Sequence, residues 1–178
     1  MKSNFRKITQ IMLVILVVFS IVKYFDIETH IKSWLTNSEN NKPRYIVQFS
    51  LQDLDGKTRN ISEWSDRRML INFWATWCVP CRREMPMLQN LYLNKDMHNI
   101  EIIGIAVDQN EPVIDFIHEY GIEFPILVGQ SDAYEIMQQL GNTATTLPYT
   151  LVVEPDGLIT WFKNTELKAE DLPEILGY

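Results

Sequence analysis

A chain of 178 residues accommodates one ordinary domain with a short extension, and a body of that size buries enough core to fold without disulfide or metal staples. With 46% hydrophobic and 22% charged residues it reads as globular rather than disordered. The net charge of −7, with no basic stripe to overcome it, leaves no basis for a nucleic-acid partner.

Lys2, Arg6 and Lys7 stand before an apolar run over residues 11–22, a basic region followed by a hydrophobic one. Ile8, Tyr24 and Phe25 lengthen the run toward the roughly 20 apolar residues a spanning helix needs, and Lys23 can reach back to the interface. No small-x-small cleavage pattern follows, so residues 1–25 read as a retained signal anchor rather than a cleaved peptide. The competing reading, a buried core helix, lacks a polar second face to support it. The basic flank stays in the cytoplasm, which sends the rest of the chain to the extracytoplasmic (periplasmic) side of the cytoplasmic membrane. Residues 26–44 form a juxtamembrane segment, with Ile27, Ile31, Trp34 and Leu35 at helical spacing and a polar, turn-rich linker after them. The remaining domain spans residues 45–178.

Within that domain strand and helix signals alternate. Residues 45–51 suit a strand, and Asp55-Gly56 marks a hairpin turn into a second extended piece. The apolar run 69–74 suits a central strand, and Met85, Leu88, Leu91 and Tyr92 place a helix over 80–93. A buried strand follows at 100–107. Asn110 caps a helix to about residue 120, with Pro112 in its first turn and Gly121 after its end. Residues 124–128 are strand-like, and a helix over 132–140 closes at Gly141. Strands at 149–153 and 158–162 are joined by the tight turn Glu154-Pro-Asp-Gly157, and a last helix covers 169–176. This order predicts an α/β domain with a mixed sheet flanked by helices on both faces.

The chain has two cysteines, Cys78 and Cys81, a spacing that chance gives on the order of once in a hundred chains. They fall where the strand hands over to the helix. The first sulfur then sits exposed at the helix N-terminus, where unpaired N–H groups and the helix dipole favour a thiolate, and the second lies one turn in and more covered. Cys78 is thus the nucleophile, and Cys81 resolves the mixed disulfide by closing the Cys78–Cys81 bond. Glu84, a turn further on, either assists deprotonation of Cys81 or complements the helix N-terminus. Pro80 costs no hydrogen bond in the first turn. Trp77 is expected at the lip of the site in contact with a partner, and Trp74 in the core. Pro148 either starts a strand or makes a cis turn beside a site.

The stretch FWATWCVPCRREMP at 73–86 resembles the active-site segment of the thioredoxin superfamily, in particular its membrane-anchored TlpA/ResA-like branch, over about residues 45–176. The resemblance implies a thioredoxin-like fold with an N-terminal β-hairpin extension and a cis-proline at Pro148. There it would face the cysteines and let the backbone of Thr146 and Leu147 pair with an extended substrate. It also implies that Glu84 tunes the thiols. Asn72 stands where cytoplasmic thioredoxins place a buried aspartate, and Thr145-Thr-Leu-Pro148 departs from the commoner Gly-Val-Pro or Gly-Thr-Pro. The expected activity is reduction of disulfide-bearing proteins, apocytochrome c among them, by a monomer that a membrane thiol transporter keeps reduced. The redox centre is the Cys78–Cys81 disulfide itself, without cofactor or metal. A disulfide oxidase or isomerase would use the same thiols at a higher potential. A copper or zinc module is short of ligands, since His98 and His118 are too far apart to complete a site. A peroxiredoxin would want threonine at Ala75.

Overall fold

Runs of β-branched and aromatic residues bounded by polar turns make the centre of this fold, because a strand covered on both faces must be apolar along its whole length. In a computed structural model, which describes residues 13, 16, 17, 19–24, 27–28 and 43–177, β3 (Arg68–Trp74), β4 (Ile100–Val107) and β5 (Ile126–Gly129) pair in parallel. Antiparallel strands extend the sheet at both ends. The hairpin β1 (Ser50–Asp53) and β2 (Thr58–Asn60) joins β5, while β6 (Tyr149–Val153) and β7 (Ile159–Lys163) join β3. The order is β2-β1-β5-β4-β3-β6-β7.

Strand alternation divides the core in two. Leu70, Trp74, Ile100, Ile102 and Ala106 face α1 (Val79–Leu93), α3 (Asn110–Tyr120) and α5 (Leu172–Leu176), meeting Met85, Leu88, Val113, Phe116 and Ile175. Ile71, Phe73, Ile103 and Ile105 face Trp64 and the Ala133, Ile136 and Met137 side of α4 (Ser131–Gln139). Asn72 shares the first face with Leu70 and Trp74, so its amide points beneath α1.

The expected helices and strands form, with shifted bounds. The apolar run 45–51 does not build one strand. Tyr45 bridges Leu158 just before β7 and the Ile46 N–H donates to the Gly157 carbonyl, while Ser50 opens β1 on the far side of the sheet; between them Ile46, Val47 and Phe49 pack against the core. Asn110 is the first helical residue and Gln109 the cap; the Asn110 amide donates to the Leu54 carbonyl. The last helix begins as a 3-10 turn at Ala169–Asp171. A short α2 (Lys95–His98), ended by Asn99 at φ +49°, was not foreseen. His98 and His118 lie in the last turns of α2 and α3.

The chain divides into two compact units, Met1–Lys42 and Pro43–Tyr178. In the first, the described residues are helical and their apolar side chains are exposed. Most of the anchor and linker expected from sequence lies outside the described residues. Among the described residues no helix is long and apolar enough to cross a membrane.

Gly104 in β4 leaves no room for a side chain against the neighbouring strands β3 and β5. A Cβ there would stand 2.6 Å from Ile126 Cδ1, 3.0 Å from Phe124 Cε2 and 3.1 Å from Trp74 Nε1. Gly104→Ala is therefore expected to lower the unfolding free energy by about 1–3 kcal/mol, read from urea denaturation, despite the better strand propensity of alanine.

Candidate active site

The cysteines are set by the way β3 ends. After Trp74 the chain turns, the Cys78 N–H donates to the Ala75 carbonyl at 3.1 Å, and Cys78 becomes the N-cap of α1 with extended backbone. Its sulfur accepts the Cys81 N–H at 3.3 Å, taking the place a serine or aspartate oxygen holds at other helix starts. Pro80 lies in the first turn, where its missing N–H costs nothing. Cys78 and Cys81 are joined as a disulfide. The expectation of an exposed first sulfur needs correction: Cys78 is only 5% exposed and Cys81 fully buried, because both pack into the core cluster that also holds Met85 and touches Leu147. The order of accessibility survives and its size does not.

The turn before Cys78 is held from β4. Asp108 Oδ2 accepts the Thr76 backbone N–H at 3.0 Å and the Thr76 hydroxyl at 2.6 Å, while Oδ1 accepts the Gln109 N–H. Trp77 is 62% exposed beside the cysteines, and Val79 next to it is exposed as well. Trp74 is buried against Phe116, ring centroids 5.0 Å apart.

Pro148 is reached by a cis Leu147–Pro148 bond. β6 pairs antiparallel with β3, Tyr149 opposite Phe73, so the residues before β6 lie next to those after β3, where the cysteines are. The loop is braced internally: the buried Asn142 amide donates to the Thr146 carbonyl at 2.7 Å, and Thr145 sits at φ +53°. The Thr146 carbonyl is thus already engaged.

Glu84 is neither a surface carboxylate nor a first-turn complement to the helix dipole. It is 1% exposed beneath α1. Its Oε1 accepts the Asn72 Nδ2 at 2.7 Å, and its Oε2 accepts the Leu167 N–H at 2.6 Å. The same Asn72 Nδ2 donates to Thr150 Oγ1 at 2.9 Å. Burial pushes the Glu84 carboxyl up to about 7 from 4.5, and the two accepted hydrogen bonds only partly oppose that. Outside it, Arg83 forks onto Glu166 with Nε 3.0 Å from both oxygens, closing the segment that carries Leu167 over the carboxyl. Thr150, Asp108 and Asn142 did not emerge from the sequence. For Thr150 and Asp108 the one available signal was a polar residue within or just after an apolar strand; Asn142, in the loop after α4, carried none.

Residues 44–162 match the model of the AhpC/TSA family. The chain is similar to the thiol-disulfide oxidoreductase ResA of Oceanobacillus iheyensis, 30% identical over 156 residues, 87% of this chain and 77% of that protein. It is also similar to ResA of Halalkalibacterium halodurans, 34% identical over 140 residues, 73% of this chain and 74% of that protein. Among solved structures, a thiol:disulfide interchange protein of the thioredoxin family from Chlorobium tepidum superposes with a TM-score of 0.67 at 23% identity, covering 76% of this chain and 94% of that one. The fold is therefore thioredoxin-like.

A carboxyl raised to about 7 keeps its proton in the folded protein after the unfolded chain has released it near 4.5. Its contribution to stability is full below about pH 4.5 and is lost as pH rises through about 7, a swing of about 3 kcal/mol at 1.36 kcal/mol per unit. Urea unfolding of the oxidised protein and of Glu84→Gln across that window should show wild type losing stability relative to the variant as pH rises, by an amount of that order.

Proposed function

We infer that this chain, which belongs to the AhpC/TSA family, is a thiol–disulfide oxidoreductase close to ResA, and that it works by reducing disulfides in protein partners. The observation that carries this is a paired Cys78 and Cys81, one at the helix N-cap and one a turn in, in a chain with no other cysteine. In the reduced protein the N-cap sulfur faces the first N–H groups of α1, which favour its thiolate. That thiolate attacks a partner disulfide; one partner sulfur leaves as a thiolate and the other stays bonded to Cys78. Cys81 gives up its proton and its thiolate attacks the Cys78 sulfur, breaking the bond to the partner, which leaves with both sulfurs reduced. The Cys78–Cys81 disulfide remains.

Glu84 is the group we assign to take the Cys81 proton. It lies one turn along the same helix, and a carboxyl that titrates near neutrality is suited to accept and return a proton. Pro148 and Leu147 form the opposing wall, where the Leu147 backbone pairs with an extended substrate. Thr146 contributes shape, since its carbonyl is held by Asn142. Trp77 supplies apolar contact at the lip.

The basic residues 2, 6 and 7 before the apolar run 11–22 support a single N-terminal anchor with the catalytic domain on the extracytoplasmic side. There a membrane thiol transporter would supply electrons to this monomer, and apocytochrome c before haem attachment is a fitting substrate. No cofactor is required beyond the cysteine pair.

Cys78→Ala should abolish insulin reduction, and Cys81→Ala should accumulate mixed disulfides that run as adducts on non-reducing gels. Intact activity in Cys78→Ala would refute the mechanism. Equilibration in glutathione buffers should place the Cys78–Cys81 couple well below the roughly −120 mV of a strong oxidant; a value near that figure would make the protein an oxidase.

A further inference from the structure

The buried polar cluster under α1 contains a group with no partner. Asn72 is fully buried, its Nδ2 serves both Glu84 Oε1 (2.7 Å) and Thr150 Oγ1 (2.9 Å), and its Oδ1 has no hydrogen-bond partner among the described residues. A buried amide with both protons spoken for and its oxygen idle is held in one orientation at a cost. Turned over, it would present an acceptor to both neighbours instead. Such an acceptor can face only a protonated carboxyl, whereas the observed orientation suits an ionised one. Thr150 Oγ1, 2.9 Å from the same Nδ2, anchors the amide in place, while the carboxylate sets its orientation, since a hydroxyl both donates and accepts and an ionised carboxyl only accepts.

We propose that Asn72 and Thr150 are positioning residues for the resolving step: Thr150 holds the Asn72 amide within reach of Glu84, to which the amide offers an N–H, and this keeps the carboxylate form accessible in a dry site and able to take the proton of Cys81. This rests on the reading of Glu84 as the proton acceptor. In the step concerned, the Cys81 S–H bond breaks and its proton passes to Glu84. The electron pair left on the Cys81 sulfur forms the bond to Cys78, and the Cys78–partner bond breaks with its pair going to the partner sulfur. Burial works against the ionised carboxyl, and the donated hydrogen bonds from Asn72 and Leu167 offset it. The other charges around Glu84 are already matched, Glu166 by Arg83 on its own helix side and Lys163 of β7 by Asp171 at 2.7 Å. The neutral Asn72 and Thr150 on β3 and β6 are therefore the free means of adjustment. An aspartate at position 72 would set two carboxyls against each other with one proton between them.

The test uses the full chain, reduced and loaded at Cys78 with thionitrobenzoate, so that release of the chromophore reports attack by Cys81 as a function of pH. Asn72→Asp should move the midpoint of that profile up by at least about one pH unit. Thr150→Val, which removes the anchor of the amide and loosens its N–H to Glu84, should move it up by about half a unit, and Thr150→Ser should restore the wild-type midpoint. Should Asn72→Asp fail to fold, the threonine pair decides. A wild-type midpoint in Asn72→Asp or Thr150→Val, with the titration lost in Glu84→Gln, would overturn the proposal alone. An unchanged profile in Glu84→Gln would overturn the assignment of Glu84 itself.

Discussion

The architecture around the cysteines depends on a carboxyl group placed where water does not reach. Glu84 under α1 accepts from Asn72 on β3 and from the Leu167 peptide after β7, so one side chain ties together three parts of the chain that are distant in sequence. An apolar residue would pack there at no electrostatic cost, whereas the carboxyl raised to about 7 carries a penalty of about 3 kcal/mol when ionised. Its neighbours are explicable as the answer to that penalty. Asn72 and Thr150 are polar residues inside otherwise apolar strands, and Arg83 with Glu166 closes the outside. An exposed ion pair of this kind contributes little energy by itself.

The strand-to-helix junction supplies the second constraint. A helix start leaves N–H groups without intrahelical partners, and here a sulfur occupies the cap. Asp108, at the end of β4, fixes the turn through both the backbone and the hydroxyl of Thr76. The turn that carries Cys78 is thereby tied to the residue that follows β4. This suits a reaction that requires three sulfurs to align.

Sheet order brings in the remaining wall. β6 lies beside β3 although some 75 positions separate Phe73 from Tyr149, and the antiparallel register sets the start of β6 next to the end of β3. The cis Leu147–Pro148 bond and the brace from Asn142 to Thr146 shape that start. Trp77 and Val79 leave an apolar rim beside a nearly covered disulfide.

Local physics fixed much of this in the sequence. The apolar runs at 69–74, 100–107 and 149–153, the turns at Asp55-Gly56 and Glu154–Gly157, and the glycine after α3 are short-range signals, and each element formed within a few residues of where they point. The cysteine pair and its helix start were legible for the same reason, since strand, turn and helix are contiguous there. What the tertiary structure alone decided were properties that depend on what packs from elsewhere. Residues 45–51 look like one strand but are divided between a bridge to Leu158 and the opening of β1, with Ile46, Val47 and Phe49 packed against the core between them. The Cys78 sulfur is covered by side chains from other elements. Glu84 reads in sequence as an ordinary helical acid. Only the approach of Asn72 and Leu167 from distant segments makes it a buried carboxyl, because desolvation is a property of the surroundings and not of the residue.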